Sequence, residues 1–395
     1  MSPTLTILIL CGDADHNLGD RAILQATCQM ILRRRPEARI IVVSDRPDAA
    51  RREYRAEAIA RGARGFLALC RSAAAADLVL CGGGGLFQDD DSLVKMPYWA
   101  ARVLLARSLC RRVVGHALGV GPLRAATSRW AASLAFALME RVSVRDERAR
   151  AVAQGLTRRP VEIVPDPALA LEPGSVEEVR GWLRREGVPV GERPIIGVAP
   201  RRWFPPAHRI VPHKIAKRLG APDPADSPEG RALPRLIAQV LDRQVAKRNA
   251  HVLFLPTYRV PSEADDRLCV AIRDAMRTPQ STTLLCIDDA ARYKAATASL
   301  DVMLGGRMHP MILSAGMGTP VVGLAYNPKF HGLLALLGQG ELGMDVAAFV
   351  REEAVQGFDA LLDRAIERGR LATEPAKPLV VRIEAFVDDV LGSRP

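Results

Sequence analysis

A chain of 395 residues is too long for one ordinary hydrophobic core and fits two domains of roughly 150 to 200 residues with a cleft between them. Its 48% hydrophobic and 25% charged residues match a water-soluble globular protein, and no apolar run approaches the roughly 18 residues that a membrane span requires. The net charge of +11 favours anionic partners such as phosphorylated small molecules or lipid head groups, whereas aromatics at 5%, with no aromatic-interleaved basic patch, argue against nucleic acid.

The first apolar run, Leu5 to Leu10, lacks the basic flank and cleavage site of a signal peptide and predicts the first strand of a sheet. It leads into "CGDADHN" and a helix expected over Asp20 to Arg34, with Asp20 as its cap and free amides suited to an anion or a sugar hydroxyl. Further strands are predicted at Ile40 to Val43, Leu78 to Cys81, Val113 to Ala117 and Arg141 to Val144, with Glu162 to Val164 as an edge. After Cys81 comes "GGGGLFQDD". A tight turn explains one or two glycines, but four predict a loop whose main chain touches a ligand, in neither a dinucleotide nor a Walker pattern. In "VVGHALGVGPL", His116 reads as a satisfied core residue, and Trp130 to Met139 reads as a buried helix. Arg145 and Asp146 in "VSVRDERA" read as a structural pair. Seven cysteines without CxxC or Cys/His spacing predict reduced thiols in a cytoplasmic protein and no structural zinc.

"PDPALALEPGSVEE" places a domain boundary near Glu172 to Gly191, giving a first domain over 1–175 and a second over 190–375. The second half repeats the α/β alternation, with strands expected at Pro194 to Val198, His251 to Leu255, Thr283 to Cys286, Val302 to Leu304 and Val321 to Leu324. The Pro-rich basic stretch 200–234 predicts a lid or binding loop, and a final helix near Lys377 to Leu391, within 376–395, is expected to pack back on the first domain. Ligands of parallel sheets lie beyond the carboxyl ends of the strands. In the second domain those ends offer Arg201 or Arg202, Arg307, His309 and Lys329: cations for a small ligand with several negative charges, and an imidazole to move a proton.

The ordered series "NLGDRAIL", "GGGGLFQD", "GVGPL", "SVRD", "DPAL", "GVAPRRW" and "GRMHPMILSAGMGTPVVGLAYNPK" resembles the polysaccharide pyruvyl transferase family over about the first 330 residues. The resemblance implies two Rossmann-like domains facing across a cleft, similar to GT-B glycosyltransferases. It also implies transfer of the enolpyruvyl carbons of phosphoenolpyruvate to two hydroxyls of a sugar, giving a cyclic pyruvate ketal, with no metal or organic cofactor. The family's Arg-x-His motif matches Arg307, Met308 and His309, so that Arg307 and His309 are expected to be catalytic and Arg201, Arg202, Arg307 and Lys329 to bind the donor. The acceptor, a sugar on a lipid-linked repeat unit, is expected at Asn17, Asp20, Gly83, Gly84, Gln88 and Asp89, with Asp20 or Asp89 as base. Arg21, His116 and Asn327 depart from the family's usual residues. The setting implied is cytoplasmic, with transient contact at the anionic inner face of the membrane, in exopolysaccharide, capsule or cell-wall synthesis. The alternative is a GT-B-like glycosyltransferase whose nucleotide ribose is held by Glu341. A binding or regulatory protein with catalysis lost is a third reading, against which the retained Arg307, His309 and Lys329 speak.

Overall fold

Strands that are apolar at every position, rather than at alternate ones, belong in sheets covered by helices on both faces. The computed structural model, which describes residues 4–90, 92–202, 227–261, 263–351, 354–369 and 376–392, places such strands in two separate α/β domains. In the first domain β1 (Thr6–Leu10), β2 (Arg39–Ser44), β3 (Glu57–Ala60), β4 (Leu78–Gly82), β5 (Val113–Leu118), β6 (Arg141–Val144) and β7 (Val161–Ile163) pair in parallel in the order β3-β2-β1-β4-β5-β6-β7. The helices between them are α1 (Leu18–Arg34), α2 (Pro47–Tyr54), α3 (Phe66–Ala75), α4 (Lys95–Leu109), α5 (Ala126–Leu138) and α6 (Glu147–Gln154). Strand order reverses between β1 and β4, which opens a crevice at their carboxyl ends.

Asn17, not Asp20, caps α1: its side chain accepts the Gly19 amide at 2.9 Å, and the helix begins two residues earlier than expected. The segment Trp130 to Met139 is helical, but it is amphipathic rather than buried, because α5 lies on the domain surface and leaves Trp130 70% exposed. The expected Arg145–Asp146 pair forms at 3.7 Å in a buried cluster with Asp166, while Asp146 also caps α6 through the Ala149 amide.

The C-terminal helix Ala376–Gly392 belongs to this first domain from Leu379 onward. Its Asp388 pairs with Arg34, its Asp389 with Arg141, and its Val390 carbonyl accepts from Arg112 at 3.1 Å. Phe386 of the same helix stacks on His116, with ring centroids 5.5 Å apart and planes 7° from parallel. β5 bulges between Gly115 and Leu118, where Ser143 repairs the ladder by donating to the Gly115 carbonyl and accepting from the Ala117 amide, both at 2.9 Å. His116 is thus a core residue but not a satisfied one: it is 3% exposed, and neither ring nitrogen has a hydrogen-bond partner among the described residues.

Burial pushes the His116 imidazole down from 6.5 to about 4, with Asp166 opposing weakly. The unfolded chain therefore takes up a proton as pH falls through about 6.5, while the folded chain resists until about 4, so stability is full at neutral pH and is lost across that interval. His251, also held down to about 4 by burial and then by Arg193, adds to the same loss. His116 alone is expected to account for roughly 2 kcal/mol between pH 7 and pH 5. Urea unfolding of wild type and His116→Gln at the two pH values checks this. A His116→Gln variant with an unchanged pH dependence would contradict it.

In the second domain β8 (Ile195–Ala199), β9 (His251–Phe254), β10 (Thr282–Leu284), β11 (Val302–Gly305), β12 (Val321–Ala325) and β13 (Gly343–Asp345) pair in parallel in the order β10-β9-β8-β11-β12-β13. The described helices are α7 (Val176–Arg185), α8 (Pro228–Arg248), α9 (Asp265–Ala275), α10 (Ala290–Thr297), α11 (Met308–Gly316), α12 (Lys329–Leu336), α13 (Val346–Phe349) and α14 (Ala354–Arg368). The switch point here lies between β8 and β11. The change of domain falls at Leu171/Glu172, and α7 belongs to the second domain because it packs against α10, with Arg292 3.9 Å over the Trp182 ring. Of the stretch 200–234, Pro228 to Pro234 form the start of α8, and the expected lid otherwise lies largely outside the described residues.

Candidate functional site

In the second domain the amides of Gly306 and Arg307 both donate to the Ala199 carbonyl, at 2.9 and 3.2 Å, which draws the end of β11 against the end of β8. A side chain at Gly306 would meet the Arg201 amide nitrogen at 2.7 Å, so only glycine permits this approach. Two arginines from the two sides of the switch point are thereby brought together. Arg307 caps the amino end of α11, and its guanidinium lies 5.5 Å from the centre of the Tyr258 ring.

Neither arginine points into an empty space. Arg307 donates from Nε and Nη2 to Asp265, with its shortest bond at 2.6 Å, and from Nη2 to Glu263 at 2.7 Å. Asp265 is 0% exposed and also accepts the Tyr258 amide at 3.0 Å. Arg201 approaches the same Glu263 oxygen at 3.9 Å. One carboxylate therefore sits between two guanidiniums, while Nη1 of Arg307 makes no hydrogen bond among the described residues. Burial alone would lower the Arg307 pKa, but Asp265 and Glu263 outweigh it and raise it further above its ordinary value. Burial pushes the Asp265 carboxyl up, and Arg307 offsets part of that.

Of Arg201 and Arg202, Arg201 is the one that converges with Arg307 through Glu263. Its carbonyl accepts from the Tyr326 hydroxyl, and its guanidinium lies 5.5 Å from the centre of that ring, which ties the loop after β12 to the site. Lys329 follows three residues later as the first residue of α12, where its amide donates to Asn327 at 3.1 Å. His309 stands half-buried on the first turn of α11, two residues after Arg307. Sequence reading missed Tyr258, Glu263, Asp265 and Tyr326. The acidic "EADD" that leads into α9 was the available signal, but nothing in it specifies a partner more than 40 residues away.

In the first domain the crevice between β1 and β4 is lined by the polar loop and the glycines. Gly83 and Gly84 adopt φ of +80° and +74°, and an added side chain would strike Ile23 at 2.1 Å and Asp20 at 2.4 Å, respectively. Asp20 lies between the two loops and accepts the Asp13 amide at 2.9 Å. Asn17 is occupied with capping, and Gln88 keeps its buried Oε1 without a hydrogen-bond partner among the described residues. Asp89 is committed to structure, its carboxylate accepting the amides of Arg124 and Ala125 at 2.8 to 3.0 Å in the turn before α5. Asp13, His16 and Asp45 bring ligand atoms within 4.8 Å of one another, but His16 already bonds Asp13, and Arg61 lies 3.4 Å from Asp45.

A family model described as polysaccharide pyruvyl transferase matches residues 17–328. No curated protein matches the chain. Among solved structures it is similar to UDP-GlcNAc 2-epimerase from Neisseria meningitidis bound to UDP-GlcNAc, at 11% identity and a TM-score of 0.57 over 98% of this chain and 99% of that one. Anabaena Alr3699/HepE in complex with UDP-glucose gives 12% and 0.56 over 98% and 99%. Escherichia coli ADP-heptose lps heptosyltransferase II gives 14% and 0.51 over 92% and 99%. At such identities these likenesses carry the fold alone, that of the GT-B glycosyltransferases and sugar-nucleotide epimerases. No helix among the described residues is long and apolar enough to cross a membrane.

Proposed function

The chain belongs to the polysaccharide pyruvyl transferase family, and from that premise we propose that it moves the enolpyruvyl carbons of phosphoenolpyruvate onto two hydroxyls of one sugar, forming a cyclic pyruvate ketal. The observation that supports this reading is the Glu263 carboxylate held between Arg201 and Arg307, a pair of cations suited to a donor carboxylate or phosphate. Donor binding then exchanges one anion for another, with Lys329 meeting further negative charge. His309 gives a proton to the methylene carbon, and the adjacent carbon becomes an oxocarbenium-like centre. A sugar hydroxyl adds there and loses its proton to a base. Phosphate leaves with the C–O bonding pair, the arginines neutralising its charge, and a second hydroxyl closes the ketal and loses its proton.

The reaction asks for no metal or organic cofactor. The acceptor is a sugar on a lipid-linked unit for exopolysaccharide, capsule or cell-wall polymer, modified at the cytoplasmic face of the membrane.

Calorimetric titration with phosphoenolpyruvate, beside UDP- and GDP-sugars, tests the donor. Saturable binding of phosphoenolpyruvate is expected, and Glu263→Gln is expected to tighten it about five- to tenfold by removing the competing charge. Binding of a nucleotide sugar alone would overturn the reading in favour of a glycosyltransferase. In deuterium oxide the product methyl group should gain one deuterium, because one of its hydrogens comes from solvent.

A further inference from the structure

The layer formed by α3, α4 and α5 has an outer surface unlike that of the other described residues. α4 packs against both neighbours, and the inner residues of the layer, including Ala73, Trp99, Val103 and Phe136, join the core under the sheet. Its outer side is apolar: Phe66, Leu67, Tyr98, Leu104, Leu109 and Trp130 lie on these helices and Val94 caps α4, which together make seven of the ten exposed large apolar side chains among the described residues. Single exposed apolar residues need no explanation, but a concentration of them on one face does.

The charge is equally one-sided. The three helices contain Arg71, Lys95, Arg102, Arg107 and Arg129 and no Asp or Glu, in a chain that has 44 acidic residues. Half-buried Arg102 lies 5.3 Å over the ring of exposed Tyr98. The acids that follow α3 and α5 are engaged elsewhere, Asp77 with the Thr6 amide and Glu140 with Arg112.

We propose that this α3–α4–α5 face docks the enzyme on an anionic phospholipid bilayer. An apolar surface set with aromatic rings and arginines, on helices that carry no Asp or Glu, suits the boundary between head groups and acyl chains, where Trp and Tyr settle and basic residues meet lipid phosphates. A protein partner chosen for charge would more often be met by a mixed-sign rim. The placement has a use that rests on the reading of a lipid-linked acceptor. α4 begins after the glycine loop of β4 and α5 after the turn held by Asp89, so both helices start at the carboxyl-end edge of the sheet, where the crevice expected to take the sugar opens. A bilayer against these helices would present a lipid-borne sugar at its rim.

Flotation with vesicles of mixed phosphatidylglycerol and phosphatidylcholine, beside pure phosphatidylcholine, tests the proposal with no donor or acceptor present. The full-length protein is expected to float with the anionic vesicles only, with a blue shift in fluorescence that Trp130→Phe removes. Leu67→Ser/Leu104→Ser/Trp130→Ser, at exposed positions and with an unchanged unfolding midpoint as control, should weaken binding at least about tenfold. Three results would overturn it: no preference for anionic vesicles, binding by the triple variant equal to wild type, or a wild-type dimer that the triple variant dissociates, which would assign the face to a second copy. Vesicle binding without phosphoenolpyruvate binding would leave the docking face standing and remove only its link to pyruvyl transfer.

Discussion

Arg307→Ala is expected to cost the second domain about 3 to 5 kcal/mol of stability as well as its affinity for phosphoenolpyruvate. The stability loss comes from Asp265, whose carboxylate is 0% exposed and is neutralised chiefly by this guanidinium. Taking the cation away leaves a buried charge that must either stay unpaired or take up a proton. Arg307→Ala/Asp265→Asn should recover most of the stability, since it removes both charges, yet it should not recover donor binding. Urea unfolding and calorimetry on the two variants separate the two roles. An Arg307→Ala protein as stable as wild type would show that the pair does not brace the site.

His309→Ala is expected to lower turnover about 10²- to 10⁴-fold while leaving phosphoenolpyruvate binding nearly intact. The enolic methylene carbon is a poor base, so protonation depends on a donor held in place. The first turn of α11 supplies that rigidity, because the turn is fixed to the end of β8 through the amides of Gly306 and Arg307. Single-turnover assays with calorimetry check the split. Near-wild-type turnover would remove His309 from the acid role, and loss of binding with intact stability would make it a donor ligand instead.

Strands β1, β4, β8 and β11, which carry the candidate sites, were legible as unbroken apolar runs because both faces of a parallel sheet are buried. The edge strands β3 and β13 were not, since "EAIA" and "GMD" are short and only partly buried. Positions just after strands pointed to Arg201, Arg307 and His309 as candidates. Their partners stayed hidden, because Glu263 and Asp265 reach Arg307 across 44 and 42 residues, and no local pattern encodes such a contact. Asp20 and Asp89 show the same limit at shorter range. Both were read as candidate bases, Asp20 also as a helix cap, and the fold decides how many amides each one takes.

The last helix changes the order in which the chain can be completed. Phe386 covers His116, and Asp388 and Asp389 answer Arg34 and Arg141, so the first domain waits for residues that are synthesised after the whole of the second. At about 5 to 20 residues per second, the gap between Leu171 and Ala376 lasts roughly 10 to 40 s on a ribosome. During it His116 has no stacking partner and Arg34 and Arg141 lack their carboxylates from the final helix. The domain that is begun first is thus finished last, and a chain cut just ahead of residue 376 would injure the amino-terminal half of the molecule rather than the half it was cut from.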